Sequence, residues 1–176
     1  RLRGEQEFGL SVSWIFDAVR HFGVEEAARV FHKAAEMKKH HPSIVGIGIG
    51  GDERRTGAEG FRQLYAEARE HGLHLTAHAG ETVGPESIWS AINIGAERVG
   101  HALSAQHDPE LIEVLAQKQI PLEINVTINF RTGVWLEVDE HPLRQYFDSG
   151  LMVTLNSDDP PMFCSNLLEE YVLAQE

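Results

Sequence analysis

With 176 residues, 42% of them hydrophobic, the chain is long enough to bury the core of a single domain spanning residues 1–176. A formal net charge of −12 disfavours nucleic acid or a phospholipid surface as partner, because phosphate binding relies on basic neutralisation. No apolar run approaches the roughly 18 to 20 residues of a membrane helix, and the single cysteine, Cys164, excludes an internal disulfide and paired-cysteine zinc sites, so a cytoplasmic location is the default expectation.

Phe8–Arg20 reads as the first strand. Val24–Lys39 follows as a helix with Ala27, Ala28, Phe31, Ala34 and Ala35 on one stripe. Ile44–Gly50 is a strand whose glycines admit close neighbours. Phe61, Leu64, Tyr65 and Ala68 mark the next helix, stopped at Gly72. Leu73–His78 reads as a strand, and Pro85 opens the helix that carries Ile88, Ala91 and Ile92. Arg98–Leu103 is a brief strand, Pro109–Lys118 a helix, and Ile120–Val126 a strand entered through Pro121. Pro142–Asp148 is a short helix, Leu151–Leu155 the last strand, and Leu167–Ala174 the start of a final helix.

The strand ends near Arg20, Gly50, His78, His101, Asn125 and Asp158 lie 23 to 33 residues apart, a spacing that suits successive βα units. Six parallel strands fit an open doubly wound sheet or most of a barrel. The open sheet would use a phosphate-cradling glycine loop. Here the glycines of 46–51 run into Asp52-Glu53, which would repel phosphate. The expected fold is therefore an α/β, (β/α)8 TIM-type barrel. Such barrels usually take about 250 residues, so about six βα units are expected here and the N-terminal strands before Arg1.

Chemistry in such barrels gathers at the C-terminal strand ends. His78 ends one strand and could bind a divalent metal through a neutral imidazole; zinc accepts nitrogen and carboxylate oxygen together. Glu81, three residues on, could shuttle a proton beside it. Of Asp158 and Asp159, one could ligate the metal while the other accepts a hydrogen bond from a water there. His101 could orient that water, and the Gly51 N–H could face a flat ligand. Each also has a plain structural reading: core histidines, a helix-start carboxylate, turn chemistry at Ser157-Asp-Asp-Pro160. Their coincidence on three strand ends favours a site. His40, His41 and His71 sit in polar helix-end contexts and are assigned no chemistry.

His78-Ala-Gly-Glu81, Val99-Gly-His101, Gly51-Asp-Glu53 and Ser157-Asp-Asp-Pro160 occur in the order and approximate spacing of the adenosine deaminase family, and the resemblance runs from about Phe8 to Phe163. It implies a metal-dependent amidohydrolase barrel with one zinc ion that removes the 6-amino group of a purine nucleoside as ammonia. By position, His78 and Asp158 resemble zinc ligands and Glu81 the proton donor to purine N1. His101 resembles the histidine that helps deprotonate and hold the water. Asp159 looks like the aspartate bonding that water and the purine edge, and Gly51 like the backbone donor to a ring nitrogen. The sequence departs from the family at two places. No His-x-His pair is present, so two further ligands are expected from N-terminal strands outside this chain, and the chain as written should bind zinc poorly or not at all. Asn125-Val-Thr-Ile-Asn129 stands where relatives commonly show Cys-Pro-x-Ser-Asn.

Adenosine is the leading substrate, with adenine or another 6-aminopurine nucleoside such as aminodeoxyfutalosine as alternatives. A cyclic amide or phosphoester hydrolase of the same fold is disfavoured, because no lysine lies at a matching strand end. The lone cysteine excludes the nucleic-acid cytosine deaminases with their Pro-Cys-x-x-Cys signature. A non-catalytic nucleoside-binding barrel has the missing His-x-His as its support.

Overall fold

Each apolar run of the chain becomes a short strand, and every strand hands over to a helix or a 3-10 turn at the same end. In the computed structural model, which describes residues 2–136 and 140–175, the strands are β1 (Trp14–Val19), β2 (Ile44–Gly50), β3 (His74–Ala79), β4 (Arg98–His101), β5 (Leu122–Ile124) and β6 (Val153–Leu155). They pair in sequence order, all parallel, as six consecutive units of a (β/α)8 TIM-type barrel. The helices are α1 (Leu2–Phe8), α2 (Val24–Lys38), α3 (Arg62–Glu70), α4 (Pro85–Ile94), α5 (Pro109–Lys118), α6 (Val126–Arg131), α7 (Leu143–Asp148), α8 (Pro160–Phe163) and α9 (Leu167–Gln175).

The core lies between the sheet and the helices that follow its strands. Phe31 of α2, Tyr65 of α3, Ile88 of α4 and Leu111 of α5 pack against Ile47, Leu75, Val99 and Leu122 of the strands. Alternation along the strands sends the other set of residues to the opposite face. There Asp17 pairs in register with Gly48, and His78 with Gly100 and then Glu123. Glycine at 48 is what admits the Asp17 carboxylate, since a Cβ there would lie 1.9 Å from Asp17 Oδ1. The inner face is thus polar and lined by small residues, which leaves room for a ligand.

Several boundaries differ from the sequence reading. Residues 2–8 form α1, stopped by Gly9 at φ 65°, so β1 begins at Trp14 and not at Phe8. Arg20 lies in a 3-10 turn, and Leu103 opens another after β4. β5 covers only Leu122–Ile124 because Ile120 N still bonds Leu115 O at the end of α5 and Val126 already starts α6. Exposed apolar side chains gather on the two outer strands and their neighbours, including Trp14, Ile15, Met152 and Leu168. A closed barrel covers such edges. No helix among the described residues is long and apolar enough to cross a membrane.

Candidate active site

β3 delivers His78 one residue before its end, and the chain then turns at Gly80 (φ 72°) to present Glu81. Glycine is required at this turn twice over. The backbone is left-handed, and a Cβ would lie 2.5 Å from Ile88 Cδ1 and 2.7 Å from Ser104 Oγ. Ile88 is fully buried and cannot swing aside. Gly80→Ala is accordingly expected to lower stability by about 2–4 kcal/mol, read from denaturant unfolding. β4 ends on His101, which with Ala102 adopts positive φ (65° and 51°), and Asp158 after β6 does the same (52°). Left-handed non-glycine residues cost on the order of 1–3 kcal/mol each and gather where a side chain must be aimed. Two of the expected site residues carry that strain.

The side chains converge. His78 Nδ1 lies 3.2 Å from His101 Nε2, which in turn lies 3.7 Å from Glu81 Oε2 and 3.8 Å from Asp158 Oδ2. Ligand-capable atoms of His78, Glu81 and His101 all fall within 4.8 Å of one another. Asp17 Oδ2 approaches His78 Nε2 at 3.7 Å from the inner face of β1. Beside them opens a cavity of about 370 Å³ lined by His78, Gly100, Glu123, Asn125, Ser157 and Asp158, within the usual range for small-molecule sites. Burial holds the Glu81 carboxyl above the ordinary carboxylate range; His78 opposes this, while Glu53 and Asp158 add to it. Asp158 is raised too, by burial first and by Asp159 among its neighbours, against His78.

The far side of His101 settles its tautomer. Leu143 N–H donates to His141 Nδ1 (3.2 Å), so a neutral His141 bears its proton on Nε2 and donates to Asn129 Oδ1 (3.2 Å). That leaves the Asn129 amide NH2 to donate to His101 Nδ1 (3.3 Å), with Asn125 adding a second contact at 3.4 Å. His101 therefore turns an Nε2–H toward His78, Glu81 and Asp158. Burial pushes the pKa of His101 down to about 3, with His78 adding to the shift, and burial pushes His141 down to about 4. Because the folded-state value of His141 lies below its ordinary 6.5, the unfolded chain takes up the proton first as pH falls. Stability should then decline between pH 6.5 and about 4, by up to about 3 kcal/mol from this group. Denaturant unfolding of wild type and His141→Asn across that window should show the smaller slope in the variant.

Placement of the remaining expected residues is less central. Asp159 is exposed at the start of α8, and its charge bears on Asp158. Gly51 sits at the end of β2 with φ 85° beside His21, whose Nδ1 accepts from Asp52 N at 3.2 Å. Among the described residues no hydrogen bond links Asp159 or Gly51 to the four-residue cluster. Asp17, Arg20, Glu53 and His141 were not singled out from sequence, although each touches the cluster or the groups that hold it. The motif Gly51-Asp-Glu53 was the available signal for Glu53; His141 had none.

The His78 imidazole together with the Glu81 and Asp158 carboxylates offers a nitrogen and oxygens that suit a borderline divalent ion such as zinc, and no thiolate joins them among the described residues. The donor set thus fits the metal that the sequence motifs imply. The adenosine deaminase family pattern matches residues 1–176. This chain belongs to the adenosine deaminase family. It is 39% identical over 175 residues to the aminodeoxyfutalosine deaminase of Streptomyces coelicolor, covering 99% of this chain and 45% of that protein. Its fold matches that of an adenine deaminase from Arthrobacter aurescens with a TM-score of 0.90 and 30% identity, covering 97% of this chain and 52% of the other. It also matches an amidohydrolase from Burkholderia ambifaria solved with bound Zn, at a TM-score of 0.87 and 25% identity, covering 99% and 49%. The chain spans about half the length of the relatives it matches.

Proposed function

We propose that the protein carrying this chain is a metal-dependent hydrolytic deaminase that converts the 6-amino group of a purine nucleoside, adenosine in the simplest case, to a 6-oxo group with release of ammonia. The observation that carries this reading is the part-buried Glu81 carboxyl, 3.7 Å from His101 Nε2, with Asp158 at 3.8 Å and His78 at 3.2 Å from the same nitrogen. His78 and Asp158 would hold one zinc ion. Two further histidines on additional N-terminal βα units would complete both its ligand set and the cylinder, and those units would cover the apolar edge at β1. When bound, the ion supplies Lewis acidity.

Glu81, whose proton affinity burial raises, donates to a ring nitrogen and makes C6 electrophilic. Water adds at C6 while Asp159 accepts its proton and the Nε2–H of His101 anchors the new oxygen. The C6–N6 bond then breaks as the amine collects the proton from Asp159. The hydroxyl proton returns to Glu81, so each group ends as it began. An Nε2–H on His101 supports a role in holding the oxygen rather than in taking a proton. Gly51 would face the ring as a backbone donor. The 39% identity to an aminodeoxyfutalosine deaminase favours that nucleoside as a second reading of the substrate. The lone exposed Cys164 suits a cytoplasmic enzyme. Ammonia release assayed with adenosine, adenine and 6-aminodeoxyfutalosine tests the proposal. Turnover of one of them is expected, and a zinc-loaded protein inert toward all three would contradict it.

A further inference from the structure

Three consecutive backbone N–H groups at the turn after β3 point into one buried side chain. Glu53 Oε2 accepts from Gly80 N at 2.8 Å, and Glu53 Oε1 accepts from Glu81 N at 2.9 Å and Thr82 N at 3.1 Å. Ser87 Oγ of α4 donates to the same carboxylate. Glu53 is 5% exposed, and every partner among these bonds comes from the segment 80–87. Successive amides curling around a left-handed residue make an anion-binding concavity. At this turn the occupant is a side chain from a different βα loop. From beneath, the fully buried Arg20 donates to the His78 carbonyl, and its charge is coupled to that of Glu53. The loop carrying the acid is therefore clamped by a carboxylate whose own oxygens are spent on backbone.

We propose that Glu53 is a positioning residue that fixes Glu81 against the substrate ring through the 80–82 backbone. The inference rests on the deaminase reading above. The bond to Glu81 N sets where the Cα of the proton donor stands, and the flanking bonds to Gly80 and Thr82 prevent it from rotating about that point. Displacement of a reacting group by about 1 Å can cost on the order of 10²-fold in rate. Loss of the clamp should thus appear in kcat while KM and metal content stay close to wild type.

The experiment is a double-mutant cycle in the full-length protein: Glu53→Ala, Glu81→Gln and the double variant, with Glu53→Gln as the conservative partner. Glu53→Ala should lower kcat by about 10–100-fold, and the Ala change added to Glu81→Gln should cost no more than about threefold, since the clamp then has no acid to position. Glu53→Gln keeps one acceptor oxygen for two amides and should recover part of the loss. Hydrogen exchange at amides 80–82 should accelerate in Glu53→Ala, a readout independent of turnover. Multiplying losses in the double variant, or wild-type kcat with unchanged exchange, would overturn the proposal. If Glu53→Ala does not fold, Glu53→Gln carries the same comparison: a reduced kcat at unchanged KM supports the clamp, and wild-type kcat refutes it. A wild type that deaminates nothing would sink the functional reading alone, leaving the exchange measurement to decide whether Glu53 holds the turn.

Discussion

Glu81→Gln should retain its metal and its fold yet lose on the order of 10²–10⁴-fold in kcat, the range expected for removing a general acid. Glutamine preserves volume and hydrogen bonding but has no proton to give to a ring nitrogen. The wild-type carboxyl is suited to the task because burial holds its proton affinity above that of an ordinary glutamate, with Glu53 and Asp158 contributing in the same direction. The backbone bond from Glu81 N to Glu53 is untouched by the substitution, so the loss should reside in chemistry and not in loop order. Steady-state kinetics with zinc analysis on the same preparation separates the two. A variant with near-normal kcat would remove Glu81 from the mechanism.

His78→Ala should fail in a different way. The variant is expected to lose metal and with it at least about 10³-fold in turnover, because Lewis-acid stabilisation is worth several kcal/mol and each 1.36 kcal/mol is tenfold. Chelation of the wild type should reproduce the loss, and added zinc should restore the wild type alone. His101→Ala supplies the contrast. Its imidazole presents an N–H to the Glu81–Asp158 cluster, fixed by the Asn129–His141 chain, so that variant should keep its metal while losing kcat. Equal metal content in His78→Ala and wild type would assign the ligand role elsewhere in the cluster.

The parts of this architecture that were legible in the sequence are the local ones. A buried strand announces itself as a short apolar run, and the polar residue that ends it is one position further on. That made His78, Glu81, His101 and Asp158 readable as strand-end chemistry, and all four do converge. Helix α6 is not legible because Val126-Thr-Ile is β-branched, and the expected strand runs to Val126 with no helix after it. Tertiary contacts override that propensity: Val126 and Ile128 are buried, and Thr127 N is held by Glu170 from α9. Helix α1 has few apolar positions and no helical stripe to read, and only Phe8 of it falls in the Phe8–Arg20 strand expected from sequence. The roles of Glu53, visible only as part of the Gly51-Asp-Glu53 motif, and of His141 are illegible for a stronger reason. Their partners lie 27 and 12 residues away along the chain, and no periodicity encodes a carboxylate bonding the backbone of another loop or an imidazole orienting an amide. Asp17 was hidden in the same way, visible only once Gly48 is seen to make room for it.

Anomalous diffraction at the zinc edge, on crystals of the full-length protein, addresses the central claim most directly. The account predicts one peak about 2.0–2.2 Å from an imidazole nitrogen of His78 and a carboxylate oxygen of Asp158, with Glu81 and His101 beside it. A catalytically active protein whose metal peak lies away from both side chains would contradict it.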